Sequence, residues 1–252
     1  MNYSATELLA VMAARELAGV TSVFAGVGIP LLSAALAQKT HAPDLTIVVE
    51  GGSVGPEVVP GRLPISTNEM RIAHRAQMLP SITDVFLFAQ RGFLDVGFVG
   101  GAQVDRYGNL NSSVLGPYEH PTVRLPGSGG ANDIISLCRR VVVVTMHERR
   151  RFVPRVDFVT SPGFLDGGDS RQRAGLCFGR VSRIVTHLGL LGFDEATKAM
   201  RLEALHRGVS VADVLAETGF ELPLAEPLAV TEPPSAEELG LLGSLDPDRR
   251  FL

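Results

Sequence analysis

Apolar and polar positions along this chain follow a strand-and-helix rhythm. Leu8, Leu9, Met12 and Leu17 recur at near-helical spacing behind Ser4-x-x-Glu7, a capping box, and Gly19 stands where a helix C-terminus belongs. Residues 20–25 then predict a strand, Gly26-Val27-Gly28-Ile29-Pro30 a turn, 31–38 a helix and 45–49 a second strand. Strand, turn, helix and strand in that order make a parallel βαβ unit. Residues 51–80, rich in Gly, Pro, Ser and Asn, predict a long functional loop with a short turn or two. A helix over 84–90 and a strand over 96–100 follow, then a turn-dominated stretch to Asn109 and a short strand over 111–114. A helix opens at Gly127-Ser128-Gly129-Gly130-Ala131-Asn132 and reaches Cys138, with an interior strand over 139–145. A second Gly-rich loop spans 160–168, a strand covers 182–186, and Ser210 with Asp213 caps a helix over 211–218. Residues 232–252 are polar and Pro-containing and read as a tail. With no repeat or linker to divide it, residues 1–252 are expected to form a single domain of α/β class, an open, mostly parallel sheet with helices on both faces.

Within that pattern Glu50 stands out. The run Thr46-Ile47-Val48-Val49 has the β-branched, two-sided apolar character of a buried strand, and it delivers one carboxylate onto Gly51 and Gly52. A charge at the C-terminal end of a parallel strand emerges where α/β folds hold ligands. The glycines remove side-chain bulk and allow another backbone or a substrate to come close. The alternative is a strand-end acid that is only solvated or salt-bridged.

Composition changes little in this picture and excludes several classes. The chain has 252 residues, 45% hydrophobic and 20% charged, with net charge −4 and acids and bases interspersed, so no nucleic-acid or membrane-surface role is indicated. Arg149-Arg150-Arg151 is the one basic run, read as solvated or partner-facing. No apolar run reaches the length of a membrane span. Residues 1–7 lack a basic region followed by an apolar core, so no signal peptide is expected and a cytoplasmic location is. Cys138 and Cys177 fit no metal spacing and are read as buried small hydrophobes. No His-Glu-x-x-His pair or Gly-x-Ser-x-Gly elbow occurs, and no metal is expected.

The glycine clusters remain. Gly26–Pro30 lacks the third glycine of a dinucleotide fingerprint and the Lys of a Walker loop, but such a turn can present amides, through Gly26 and Gly28, to an acyl or pantetheine chain. Its other reading is a tight strand-to-helix turn and nothing more. Gly129 and Gly130 at a helix N-terminus would direct unpaired N–H groups outward, the chemistry of an oxyanion hole, or would form a plain helix cap. Asp105-Arg106-Tyr107-Gly108-Asn109 predicts a turn built on Asx chemistry, and His74 and His147 read as structural.

Taken together, these stretches resemble the β subunits of the family I CoA-transferases, and among them the glutaconate CoA-transferase β subunits. The resemblance runs in order through Gly26–Pro30, His41-Ala42-Pro43-Asp44 leading to Glu50, Gly100–Asn109, His120-Pro121 with Arg124, and Gly127–Asn132. It continues through His147-Glu148-Arg149-Arg150-Arg151-Phe152 and Asp157-Phe158-Val159-Thr160-Ser161-Pro162-Gly163. It implies a CoA-transferase type of fold, with Glu50 at the position of the covalent nucleophile and coenzyme A as a substrate rather than a resident cofactor. It also implies an α-subunit partner, in a heterodimer or higher heteromer, for acyl-CoA and carboxylic acid substrates. With Glu50, the residues expected to do chemistry are Gly129 and Gly130; those expected to line the substrate or CoA site are Gly26, Gly28, Gly51, Gly52, Gly101, Gln103 and Asn132. A glutamate suits this work, because it is ionised at neutral pH and needs no general base to become a nucleophile. Two departures are visible. The family pattern has Ser or Asn and then Gly after the glutamate, where this chain has Gly51-Gly52, and residues 55–70 match poorly. The competing expectations are an acyl-CoA hydrolase or decarboxylase on the same scaffold, or an acyl-CoA sensor without turnover.

Overall fold

A computed structural model describes residues 3–252; residues 1 and 2, which open the stretch read for a signal peptide, lie outside it. Along the chain come α1 (Ala5–Arg15), β1 (Ser22–Phe24), α2 (Ile29–Lys39), β2 (Thr46–Val49), β3 (Ser53–Val54), α3 (Ile82–Gln90) and β4 (Val96–Val99). Short strands β5 (Gln103–Val104), β6 (Leu110–Asn111), β7 (Val114–Leu115) and β8 (Val123–Arg124) precede α4 (Ala131–Leu137) and β9 (Arg140–Val144). The remainder is α5 (Ser170–Arg173), β10 (Val181–Val185), β11 (Gly189–Phe193), β12 (Met200–Leu205), α6 (Val211–Ala216), β13 (Leu224–Val230) and α7 (Ala236–Leu245).

By its packing the chain divides into two compact units. The first takes residues 1–99, 137–142 and 233–252; the second takes 100–136 and 143–232. In the first, β4, β1 and β2 lie side by side and parallel, and β3 closes the edge antiparallel to β2. The strands are buried without alternation, Ile47, Val48 and Val49 among them, as parallel strands covered on both faces must be. Helices α1 and α2 pack on each other, and every residue from Leu8 to Ala14 and from Leu31 to Ala37 is buried, so they are core helices rather than amphipathic surface ones. Ser4 and Glu7 form the predicted capping box. The βαβ reading of residues 20–49 is borne out.

The tail reading needs correction. Residues 236–245 are helix α7, capped by Ser235 and Glu238, and it packs on α2 and α1 with Leu242 and Leu245 fully buried. Arg15 grips both carboxylate oxygens of Glu238, through Nε at 2.9 Å and Nη2 at 2.8 Å. Beyond the helix, buried Asp246 accepts from the amides of Arg250 and Phe251 and so folds the last residues back.

The second unit carries the sheet order β10-β11-β12-β13, antiparallel except for the parallel pair β12–β13, together with the hairpins β5–β6 and β7–β8. The single strand expected over 111–114 is two, because the Asn111 side chain turns the chain between them by accepting from the amides of Ser113 and Val114. Cys138 is buried as expected, but Cys177 is exposed on the loop after α5. No helix of the described residues is long and apolar enough to cross a membrane.

Candidate active site

Glu50 follows directly on β2. The Gly52 amide donates back to the Val49 carbonyl at 3.0 Å, so the chain reverses around Glu50 and enters β3. The Ala25 amide donates to the Val48 carbonyl at 2.9 Å, which sets the Gly26–Pro30 turn at the same C-terminal end of the parallel strands. Glu50 is half-buried, and its carboxylate has no hydrogen-bond or ion-pair partner among the described residues. A strand-end acid held by an arginine would be structural; this one is left free for another group.

Both glycines after it are required by close backbone approach. A Cβ on Gly51 would sit 2.2 Å from the Thr67 carbonyl oxygen, and one on Gly52 would sit 2.1 Å from that of Pro80, where φ is also +92°. What comes close is therefore the chain's own loop, not an incoming substrate. That loop is stapled to the residues after Glu50: Ser53 Oγ donates to Ile72 O at 2.7 Å, and the Glu57 amide to His74 O at 3.0 Å. Between its limbs lies a pocket of about 420 Å³, lined by Glu57–Val59, Arg62, Pro64, Met70–His74 and Leu79. Gly26 faces open space, whereas Gly28 has the Phe251 ring 3.6 Å from where its Cβ would be.

The remaining predicted residues lie in the second unit. The amides of Gly129 and Gly130, which lead into α4, donate to no acceptor among the described residues, and Gly129 has φ +49°. Asn132 is engaged, its side-chain amide donating to Thr160 O at 2.8 Å. Gln103 is buried and used at both ends: Nε2 donates to Asp157, while Oε1 accepts from Asn111 Nδ2 and the Asp157 amide. Gly101 sits against Gln103, Leu110 and Asn111, with the Gln103 carbonyl oxygen 3.3 Å from where its Cβ would be. These side chains, with Thr160 hydroxyl bonds to Ser112 and Asn111, form one polar network behind the Gly127–Gly130 turn, whose Gly127 amide donates to Ser112 O.

The Asx reading of Asp105–Asn109 holds: Asp105 Oδ1 accepts from the amides of Tyr107 and Asn109, and Asn109 Nδ2 bonds both carboxylate oxygens. Burial pushes the Asp105 carboxyl above its usual range against those hydrogen bonds. Arg171 escapes a sequence reading, because nothing near it in sequence pairs with it. It is buried and reaches the carbonyls of Pro162, Gly163, Ile135 and Phe178, tying α4 to the 160–168 loop. His147 is structural as expected. It stacks on Phe152 with ring centroids 3.9 Å apart, its ring nitrogens meet the hydroxyls of Thr186 and Thr218, and burial drops its pKa to about 3.

Comparison with known proteins bears on this arrangement. Residues 6–217 match the family model described as Coenzyme A transferase. The β subunit of glutaconate CoA-transferase from Acidaminococcus fermentans is 36% identical over 258 aligned positions, covering 100% of this chain and 96% of that one. The β subunit of 3-oxoadipate CoA-transferase from Pseudomonas knackmussii is 36% identical, covering 97% of this chain and 94% of that one. The crystal structure of glutaconate coenzyme A-transferase from A. fermentans superimposes with a TM-score of 0.93 at 36% identity, over 99% of this chain and 97% of that one. The expected fold class is thereby borne out.

Proposed function

Because the chain belongs to the coenzyme A transferase family, we propose that it is the β subunit of a cytoplasmic, heteromeric enzyme that moves CoA between an acyl-CoA and a short carboxylic acid. The chemistry runs through a glutamyl-CoA thioester on Glu50. The observation that carries this is the unpartnered Glu50 carboxylate at the end of β2, on a turn locked by backbone contacts at Gly51 and Gly52. Relatives named for glutaconate and 3-oxoadipate make a dicarboxylate the first substrate to test, and their naming as one subunit of a larger enzyme points to an α partner.

In the first half-reaction a Glu50 carboxylate oxygen attacks the thioester carbonyl. The tetrahedral adduct expels CoA thiolate and leaves a mixed anhydride between Glu50 and the acyl group. The thiolate then attacks the Glu50 side-chain carbonyl carbon and expels the free acid as its carboxylate, leaving the glutamyl-CoA thioester. An acceptor carboxylate repeats both steps in reverse, so charge is conserved and no net proton moves. Each adduct carries an oxyanion, and one backbone N–H donor to it contributes about 3 kcal/mol of barrier lowering. Water must be excluded, since both intermediates hydrolyse, and the α subunit supplies that cover.

The test is intact-mass analysis of the α/β enzyme given acyl-CoA without acceptor. CoA attached to this subunit at Glu50, removed by borohydride with loss of activity, is expected. Glu50→Ala is expected to abolish the adduct and lower transfer by about 10⁴-fold or more; transfer undiminished in that variant overturns the mechanism. Stoichiometric release of free CoA or of carbon dioxide without an acceptor would mark a hydrolase or a decarboxylase instead.

A further inference from the structure

The pocket between the limbs of the 55–80 loop is absorbed by none of the chemistry above. Its wall is mostly aliphatic, with Val58, Val59 and Leu79, and its charges divide unequally. Glu57 is held by Arg75 at 2.9 Å, and Arg71 is held by Glu69, which also accepts from the Ile65 amide. That leaves the Arg62 guanidinium on the wall with no hydrogen-bond or ion-pair partner among the described residues. The pocket's own acid is thus neutralised, and exposed Arg62 lines a largely apolar wall together with His74. An arginine's planar fork matches a carboxylate in bidentate fashion. The pocket also belongs to the reacting end of the sheet: the carbonyls of Thr67 and Pro80 press on Gly51 and Gly52, and Ile72 and His74 are bonded to Ser53 and Glu57. Glu50 itself is not in the wall, so an occupant here would be a remote part of a substrate and not its reacting carbon.

We infer that this pocket receives the second carboxylate of a dicarboxylic substrate, with Arg62 as its anion partner and the connecting carbons against Val58, Val59 and Leu79. The inference rests on the CoA-transferase reading of Glu50 and makes Arg62 a specificity-determining residue for it. It also accounts for why the divergent segment 55–70 is the part of the chain that builds this cup. A phosphate of CoA has the same anionic chemistry, and the experiment separates the two sources.

The α/β enzyme and its Arg62→Gln and Arg62→Lys variants are assayed with a five-carbon dicarboxylate and with the five-carbon monocarboxylate as acceptors, against one acyl-CoA donor. Arg62→Gln is expected to raise the dicarboxylate KM by about tenfold to a hundredfold, the value of a charge-assisted hydrogen bond. The loss with the monocarboxylate is expected to be at least tenfold smaller, with kcat changing less than KM and Arg62→Lys recovering part of the loss. Equal losses for the two acids, or no change, overturn the inference. So does a rise in KM for the acyl-CoA donor whatever its acyl group, which assigns Arg62 to a CoA phosphate. The Glu50–CoA adduct is measured on the same preparations. Its formation alongside equal KM losses sinks the pocket but not the mechanism. Its absence in the unmutated enzyme sinks the mechanism, and calorimetric titration of the dicarboxylate into unmutated and Arg62→Gln protein then decides the pocket alone.

Discussion

Replacing Gly51 with alanine adds one methyl group at a point where none fits. The new Cβ would lie 2.2 Å from Thr67 O and 2.6 Å from Asn68 Oδ1. Real Cβ atoms stay at least 3.0 Å from such neighbours and usually 3.4 Å, so the gap to Thr67 O must open by 0.8 to 1.2 Å (3.0 − 2.2 and 3.4 − 2.2). The Asn68 side chain can rotate away, but a backbone carbonyl cannot. Either the 66–68 segment lifts or the Glu50 turn is pushed back. Overpacking of this size costs about 1–3 kcal/mol, and a chain of this length loses about 2–4 °C of Tm per kcal/mol. Displacing a catalytic group by about 1 Å costs about 10²-fold in rate. Gly51→Ala in the α/β enzyme is therefore expected to lower kcat by about a hundredfold while the protein stays folded at assay temperature, with a Tm a few degrees lower by calorimetry. A variant with kcat within about twofold and an unshifted Tm would refute the claim that the loop presses on the Glu50 turn.

Two further expectations concern stability. Leu242→Ala, on the buried face of α7, is expected to cost about 2–5 kcal/mol in urea unfolding, and a change under about 0.5 kcal/mol would mean that the segment is a loose tail after all. His147 has its pKa depressed to about 3 in the folded state, below its ordinary value of 6.5. The unfolded chain therefore binds the proton first, stability is complete above about pH 6.5, and it is lost as pH falls from there toward 3. Between pH 6.5 and 5 the single group accounts for about 2 kcal/mol (1.5 units at about 1.36 kcal/mol each). Unmutated protein is expected to lose that much more than His147→Gln between pH 7 and pH 5, and equal losses would remove His147 as the cause.

Local signals carry much of the first unit. The capping box at Ser4, the apolar run ending at Glu50 and the Pro30 helix start are all decided by residues within a few positions of one another, as is the Ser210 capping box in the second unit. The same signal is present, though easily passed over, at Ser81-x-x-Asp84 and Ser235-x-x-Glu238, the second of which turns the supposed tail into a helix. Strand β13 has no periodic signal to find, since most of its residues are exposed and Pro227 interrupts it. The role of Gly51 is illegible for a different reason. The atoms that forbid a side chain there belong to Thr67 and Asn68, distant in sequence and brought back only by the folded loop. The 66–68 segment of that loop is what leaves Gly51 no room for a side chain. Gln103 and Asn132 read from the sequence as ligand-facing polar groups, but each is hydrogen-bonded within the second unit, holding the turn that presents Gly129 and Gly130.

The course of the first unit along the chain, 1–99, then 137–142, then 233–252, bears on how the polypeptide is made. The surfaces of α1 and α2 that Leu242 and Leu245 cover stay open during synthesis until residues 242–245 emerge. A ribosome releasing residues 1–99 has delivered Glu50 and its strand on an apolar platform without its lid. For that interval the nascent chain depends on chaperones or on rapid completion. Premature termination before Leu242 would then leave the apolar faces of α1 and α2 uncovered.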